Sequence, residues 1–187
     1  MSLDLAGCSD GELAALALAG RQAAYGALMQ RHRDPVYRLV RGQIGDADAA
    51  LDVTQACFAA AFAALARYDG TRPFRLWIAR IAINKCHDWA RRRAVRRLFS
   101  FALPIDAADG IADTRASPET QLADAGELQR TMRAIAALPA RLRDALVLRT
   151  IEGLSQAEAA QVLGVSEKAV ETRLYRARAR LTEDLRD

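Results

Sequence analysis

The sequence predicts an all-α protein: two small helical domains joined by a flexible acidic linker, the C-terminal one a helix-turn-helix. Three observations carry that expectation. Apolar residues recur at three- and four-residue spacing along most of the chain. Residues Gly153 to Arg180, GLSQAEAAQVLGVSEKAVETRLYRARAR, hold two serine caps around a glycine stop. Charge falls in blocks: residues 1–71 are about −2, 72–97 about +8, 104–127 about −5, and the rest about +3. The 187 residues allow one domain or two small ones. Two domains are expected over 1–98 and 119–187, with the linker at 99–118, where Pro104, Gly110, Pro118 and several acids fall without a sustained period.

In chain order, residues 9–40 are expected to be helical. Ser9 and Glu12 have capping-box spacing, Gly20 suits a break, and Pro35 suits a kink or a restart. Gly45-Asp46 is a turn and cap. The helix after it carries Leu51, Phe58, Phe62 and Leu65 as its apolar face. Asp52 and Gln55 lie beside that face, open to solvent or a partner; a plain amphipathic helix explains them equally.

RYDGTRP, from Arg67 to Pro73, is a loop ending where a proline starts a helix. The helix from Phe74 to about Arg97 is expected to bury Phe74, Trp77, Ile78, Ile81 and Trp89. Arg80, Ile83, His87 and Arg91 fall on its far side, with Asn84 at the edge. Such a strip suits single-stranded or melted nucleic acid, since cations track the backbone while amide and ring groups meet bases. Core packing accounts for the tryptophans, and a solvated helix end accounts for Arg91-Arg92-Arg93.

From Phe99 to Pro118 there is no sustained period. Phe99, Phe101, Leu103 and Ile105 alternate with small residues, as a segment lying extended would. Helix resumes over 119–137, breaks at Leu138-Pro139, and returns from Arg141 to Glu152 with Leu142, Leu146, Val147 and Ile151 inward.

The closing pair starts at Ser155, with Glu158 three residues on. It turns at Gly164, where a left-handed residue is needed, and restarts at Ser166. Val170, Leu174, Ala177 and Leu181 share one stripe of the second helix. Lys168, Glu171, Thr172, Tyr175 and Arg176 share the other. That face fits a major-groove reader, in which lysine and arginine donate to guanine edges. An ordinary helical hairpin with a solvated basic face has the same pattern. Arg176, Arg178 and Arg180 add phosphate-neutralising charge.

Composition narrows the function classes. Net charge is +4 and the pI about 9.3, a mild preference for polyanions. Cys8, Cys57 and Cys86 are odd in number and far apart, which points to reduced thiols and a cytoplasmic protein. Two histidines and three scattered cysteines make no ligand-spaced set, so neither metal nor cofactor is expected. The start, MSLDLAGCSDGE, lacks the basic region of a signal peptide, and no apolar run is long enough for membrane insertion. No nucleophile–base pair or phosphate loop suggests an enzyme.

Three blocks together resemble the extracytoplasmic-function branch of the sigma-70 family, from about Ala24 to Leu185. Asp52-Val-Thr-Gln55-Ala-Cys-Phe58 resembles region 2.2. Phe74-Arg-Leu-Trp-Ile-Ala-Arg80-Ile-Ala-Ile-Asn84, with Asp88 and Arg91 to Arg93, resembles regions 2.3 and 2.4. Leu138-Pro139 through Leu181 resembles region 4.

The resemblance implies a promoter-specificity subunit of RNA polymerase that initiates transcription. Asp52 and Gln55 would meet the β′ clamp helices of core polymerase. The loop at Tyr68 with Arg80, Asn84, His87 and Arg91 would hold the −10 element as a melted strand. Lys168, Glu171, Thr172, Tyr175 and Arg176 would read the −35 element as duplex. The linker would thread the polymerase toward its RNA path, beside β, and an anti-sigma factor would be the regulator. Ala56 stands where an acid is common in the family, and Ala169 where threonine is. The alternatives are a sigma-like decoy that binds an anti-sigma factor without promoter DNA, and an unrelated ligand-sensing repressor.

Overall fold

The first turn of α1 (Asp10–Leu18) is closed by the serine and glutamate that the sequence marks. The Ser9 side chain accepts from the Glu12 amide, and the Glu12 carboxylate accepts from the Ser9 amide at 2.7 Å. Both amides would otherwise lack partners. The computed structural model describes residues 5–102 and 119–186. Residues 103–118, most of the stretch expected as linker, lie outside the described residues.

Gly20, at φ 88°, ends α1 as expected. The helix α2 (Gln22–Ile44) then continues across Pro35 as one element, so no restart occurs there. Proline removes one amide from the ladder. Val36, Leu39 and Val40 immediately after it are buried, and that burial holds the turn in place. Gly45, left-handed at φ 78°, stops α2, and the Asp46 carboxylate caps Ala49 at 3.0 Å to start α3 (Ala47–Ala63).

On α3 the inward face is Ala50, Val53, Thr54, Cys57, Phe58 and Ala61. Leu51, expected inside, is 45% exposed. Small residues fill the inward positions, so the buried stripe sits one residue round from where the large side chains suggest. Phe62 is half-buried and packs edge-on to Tyr25, 5.0 Å between centroids. A 3-10 turn (Leu65–Arg67) leads to the loop 68–73.

The helix α4 (Phe74–Ala102) buries Phe74, Leu76, Ile78, Ala79, Ala82, Ile83 and Cys86. Trp77, Ile81 and Trp89 are half-buried. The helix continues to Ala102, so Phe99 and Phe101 belong to it and not to an extended segment. Arg92, Arg93, Arg96 and Arg97 project along this last part.

The C-terminal half is α5 (Glu119–Ala137), α6 (Ala140–Thr150), α7 (Gln156–Leu163) and α8 (Glu167–Asp184). No strand occurs among the described residues, so the fold is all-α. The two halves share one apolar core. The helix α2 meets α6 closely: a Cβ added at Gly42 would stand 2.5 Å from Ile151 Cδ1. Polar pairs line the same seam. Arg143 Nε donates to Gln43 Oε1 at 2.8 Å, and Arg75 on α4 pairs with Glu158 on α7.

One seam carboxylate is poorly satisfied. Glu152 follows α6 and lines a cavity of about 330 Å³ with His32, Arg38 and Arg75. Its Oε1 is buried without a hydrogen-bond partner. Burial pushes the carboxyl from 4.5 up to about 7, against the pull of Arg38 and Arg75. Between those pH values the folded chain keeps a proton that the unfolded chain has lost, so Glu152 lowers stability as pH rises through that window. Glu152→Gln should flatten that part of the pH dependence. Urea midpoints at pH 5 and pH 7.5 check it: the variant should lose less between the two than the parent chain.

Candidate nucleic-acid interface

Local chemistry builds the C-terminal helix pair. Ser155 and Glu158 form a second capping box on α7. Gly164, at φ 65°, makes the turn, and the Ser166 hydroxyl caps the Ala169 amide at 3.2 Å. Gln156 Nε2 donates to the Glu167 carbonyl at 3.2 Å and ties the two helices together. On α8, Val170 and Ala177 are buried, while Leu174 and Leu181 are half-buried.

Lys168, Glu171, Thr172, Tyr175 and Arg176 are all exposed, as the sequence predicts. Lys168 Nζ rests on Glu171 at 2.9 Å, and the Thr172 hydroxyl donates to the Lys168 carbonyl at 2.9 Å. Both interactions lie on the surface, where ion pairs contribute little and are easily exchanged. Tyr175 is 76% exposed, an unusual position for an aromatic ring with nothing to cover it.

The N-terminal strip differs in part from expectation. Arg80 and Asn84 are exposed and His87 is half-buried. Ile83, expected beside them, is 5% exposed, and lines a cavity with Asp144 of α6 and Val162 and Leu163 of α7. Arg91 is exposed and pairs with Asp88 one turn back, and Arg93 stacks over Trp89 at 5.1 Å. Tyr68 is half-buried against Phe74 and Trp77, each with centroids 5.2 Å away, and its hydroxyl donates to the Arg72 carbonyl. The Thr71 hydroxyl and amide both donate to Asp69, and these bonds hold the Asp69 carboxyl below its usual value.

The fold brings these residues into two adjoining cavities. Tyr68, Arg72, Trp77 and Arg80 line one of about 190 Å³, with Gln161 and Val162 of α7 as its far wall. Arg80, Ile83, Asn84 and His87 line another of about 250 Å³, faced by Arg141, Asp144 and Arg173. Asp52 and Gln55 stand exposed on α3 and line neither cavity.

Sequence reasoning passed over Asp144 and Arg173. Both stand in the inward register of their helices. Val147 and Leu148 follow Asp144 by one turn, and Arg173 lies between Val170 and Ala177. A charged residue on an apolar stripe was the available signal. Asp144 is 4% exposed, and His87 Nε2 lies 3.1 Å from both of its oxygens. Burial raises the Asp144 carboxyl above its ordinary value, while His87, Arg143 and Gln43 oppose the rise. No group of three or more metal-ligating side chains occurs among the described residues, and none of their helices is long and apolar enough to cross a membrane.

Comparison with known proteins follows the same division. The family model for sigma-70 region 2 matches residues 28–96, and that for sigma-70 region 4 matches residues 128–181. The RNA polymerase sigma factor CnrH of Cupriavidus metallidurans is 42% identical over 179 residues, 93% of each chain. The ECF RNA polymerase sigma factor SigM of Mycobacterium tuberculosis is 34% identical, over 92% of this chain and 83% of that one. Among solved structures, CnrH in complex with the cytosolic domain of CnrY matches with a TM-score of 0.70 at 36% identity. That match covers 94% of this chain and 96% of the other. The Bartonella quintana sigma factor RpoE, bound to the anti-sigma factor NepR, shares the fold with a TM-score of 0.66 at 22% identity, over 87% of this chain and 96% of that one.

The contact between His87 and Asp144 links the strip to α6. Truncating the histidine leaves a buried carboxylate short of its partner, a loss of about 1–3 kcal/mol. His87→Ala should therefore destabilise the chain. A double-mutant cycle with Asp144→Ala, followed by urea unfolding, should return a coupling of at least about 0.5 kcal/mol. A coupling of zero would mean that the two side chains are merely neighbours.

Proposed function

The chain belongs to the extracytoplasmic-function branch of the sigma-70 family, and on that premise we propose a division of labour among its surfaces in bringing core RNA polymerase to promoters. The observation that carries the proposal is the face of α8. Five polar residues, Lys168, Glu171, Thr172, Tyr175 and Arg176, stand open while Val170 and Ala177 anchor the other side. That arrangement suits entry into a major groove, with Lys168 and Arg176 donating to base edges or phosphates. This is the −35 contact.

Tyr68, Arg80, Asn84, His87 and Arg91 form the −10 contact. Arg80 and Arg91 serve the strand backbone, Asn84 and His87 meet base edges, and the loop at Tyr68 receives an unstacked base. Asp52 and Gln55, exposed on α3, meet the β′ clamp helices. Residues 1–98 act as the region 2 unit and 119–187 as the region 4 unit. Residues 99–118 join them and run beside β.

In the packed arrangement, a strand laid along Arg80, Asn84 and His87 contends with α6 and α7 for the same space. Polymerase binding therefore has to part the halves. Once parted and held at a fixed distance, each contact raises the effective concentration of the other. The chain acts in the cytoplasm as a stoichiometric initiation factor without catalysis of its own. An anti-sigma factor is its regulator, by likeness to the CnrH and RpoE complexes. The exposed basic faces speak against a decoy that binds only such a regulator.

The test is to sequence transcripts after overexpression, then to run off transcripts from the promoters so found with purified core polymerase. Promoter-dependent transcripts support the proposal; core binding without transcripts favours the decoy. Lys168→Ala and Arg176→Ala should each lower initiation about tenfold, the value of one good base contact, with core binding unchanged. Asp52→Ala should weaken pull-down on β′ fragments and leave promoter selectivity intact.

A further inference from the structure

A glycine in the first turn of a nine-residue helix lowers helix stability by about 1 kcal/mol relative to alanine. Gly11 holds that position in α1, and the tertiary structure gives the reason. A Cβ built there would stand 2.5 Å from the Gly70 carbonyl oxygen and 3.3 Å from its carbon. The backbone of α1 lies directly against the tip of the loop 68–73. Nothing comparable surrounds Gly26 on α2, where a Cβ would meet no atom within 4 Å.

The described side-chain bonds of that loop close on the loop itself: Tyr68 to Arg72, Thr71 to Asp69, and Arg72 to Asp69 at 3.2 Å; its backbone is also bonded to Leu65 and Leu76 at its two ends. Its external supports are few. The ring of Tyr68 leans on Phe74, and Phe74 lies 4.9 Å from the ring of His32. His32 is 7% exposed, and its Nε2 is 2.9 Å from Asp10 Oδ2. The other Asp10 oxygen takes Arg31 at 2.6 Å. So the first turn of α1 reaches the loop twice, through Gly11 under Gly70 and through Asp10, His32 and Phe74 under Tyr68.

We infer that Gly11 and Asp10 are positioning residues for the strand-capturing loop, setting where its backbone and Tyr68 stand and hence which base it accepts. The inference rests on the proposed −10 role of that loop. The wall of the loop's cavity that belongs to the N-terminal half includes Tyr68, Arg72, Trp77 and Arg80, and in the packed arrangement Gln161 and Val162 of α7 close that cavity at about 190 Å³. Its floor is aromatic and its rim carries Arg67, Arg72 and Arg80. A base is selected there by the fit of its edge against the loop backbone, so a shift of a few tenths of an ångström at Gly70 alters the choice before it alters affinity for the strand. Phosphate attraction, which supplies most of the affinity, is insensitive to so small a displacement.

The test uses the full chain assembled with core polymerase. The probe is a pool of duplexes carrying a premelted, randomised ten-base non-template segment; bound strands are sequenced. The parent chain should enrich one base at one position or more. In Gly11→Ala and in Asp10→Asn, enrichment at one such position should fall about fivefold or more, within the range of one base contact. Enrichment elsewhere and affinity for core polymerase should stay unchanged, and Gly26→Ala should match the parent. Unchanged enrichment in both variants overturns the inference, as does a uniform fall at every position together with core affinity. A parent chain that enriches no base anywhere overturns the reading of the loop itself, and this inference with it.

Discussion

One helix has to serve two partners at once, and the rest of the molecule is arranged around that constraint. At 29 residues, α4 is about 43 Å long. One side of it completes the N-terminal core with Phe74, Ile78 and Ala82; another carries Arg80 and Asn84 outward. Ile83 lies between these sides, buried, and lines a cavity shared with Val162, Leu163 and Asp144 of the C-terminal half. Burial of such a side chain contributes about 1.5–3 kcal/mol. Under the proposed −10 role of Arg80 and Asn84, closure and strand binding would compete for the same length of α4.

The parts of the fold fixed by chemistry within four residues were legible in the sequence. Both capping boxes, the left-handed glycines at positions 20, 45 and 164, and the Asp46 cap stand where their spacing puts them. So does the polar face of α8, because Val170 and Ala177 fix which side turns inward. Less legible were features decided by distant neighbours. Leu51 points outward because Ala50 and Cys57 fill the inward register, and alanine says little about direction. Ile83 turned inward against the half that follows it in sequence. Pro35 stayed inside a helix because the burial of Val36, Leu39 and Val40 outweighs one missing amide bond. Asp144 and Arg173 were hidden by their charge, which suggested the surface although their register pointed inward.

Two titratable groups on one cavity wall pull in opposite directions. Burial lowers the proton affinity of His32, against the attraction of Asp10, and raises that of Glu152. The histidine favours the folded state as pH rises, and the glutamate disfavours it. The seam's apolar contacts across Gly42, Val147 and Ile151 carry the cohesion, and the ionic groups adjust it.

The polar fastening between α4 and α7 has a further consequence. Glu158 gives one oxygen to the Ser155 amide, inside its own helix, and the other to Arg75 across the seam. Withdrawing the arginine leaves the first bond intact, and water can take up the vacant oxygen. This fastening can therefore open without cost to the start of α7: the same carboxylate locks its own helix whether or not the arginine holds the other oxygen.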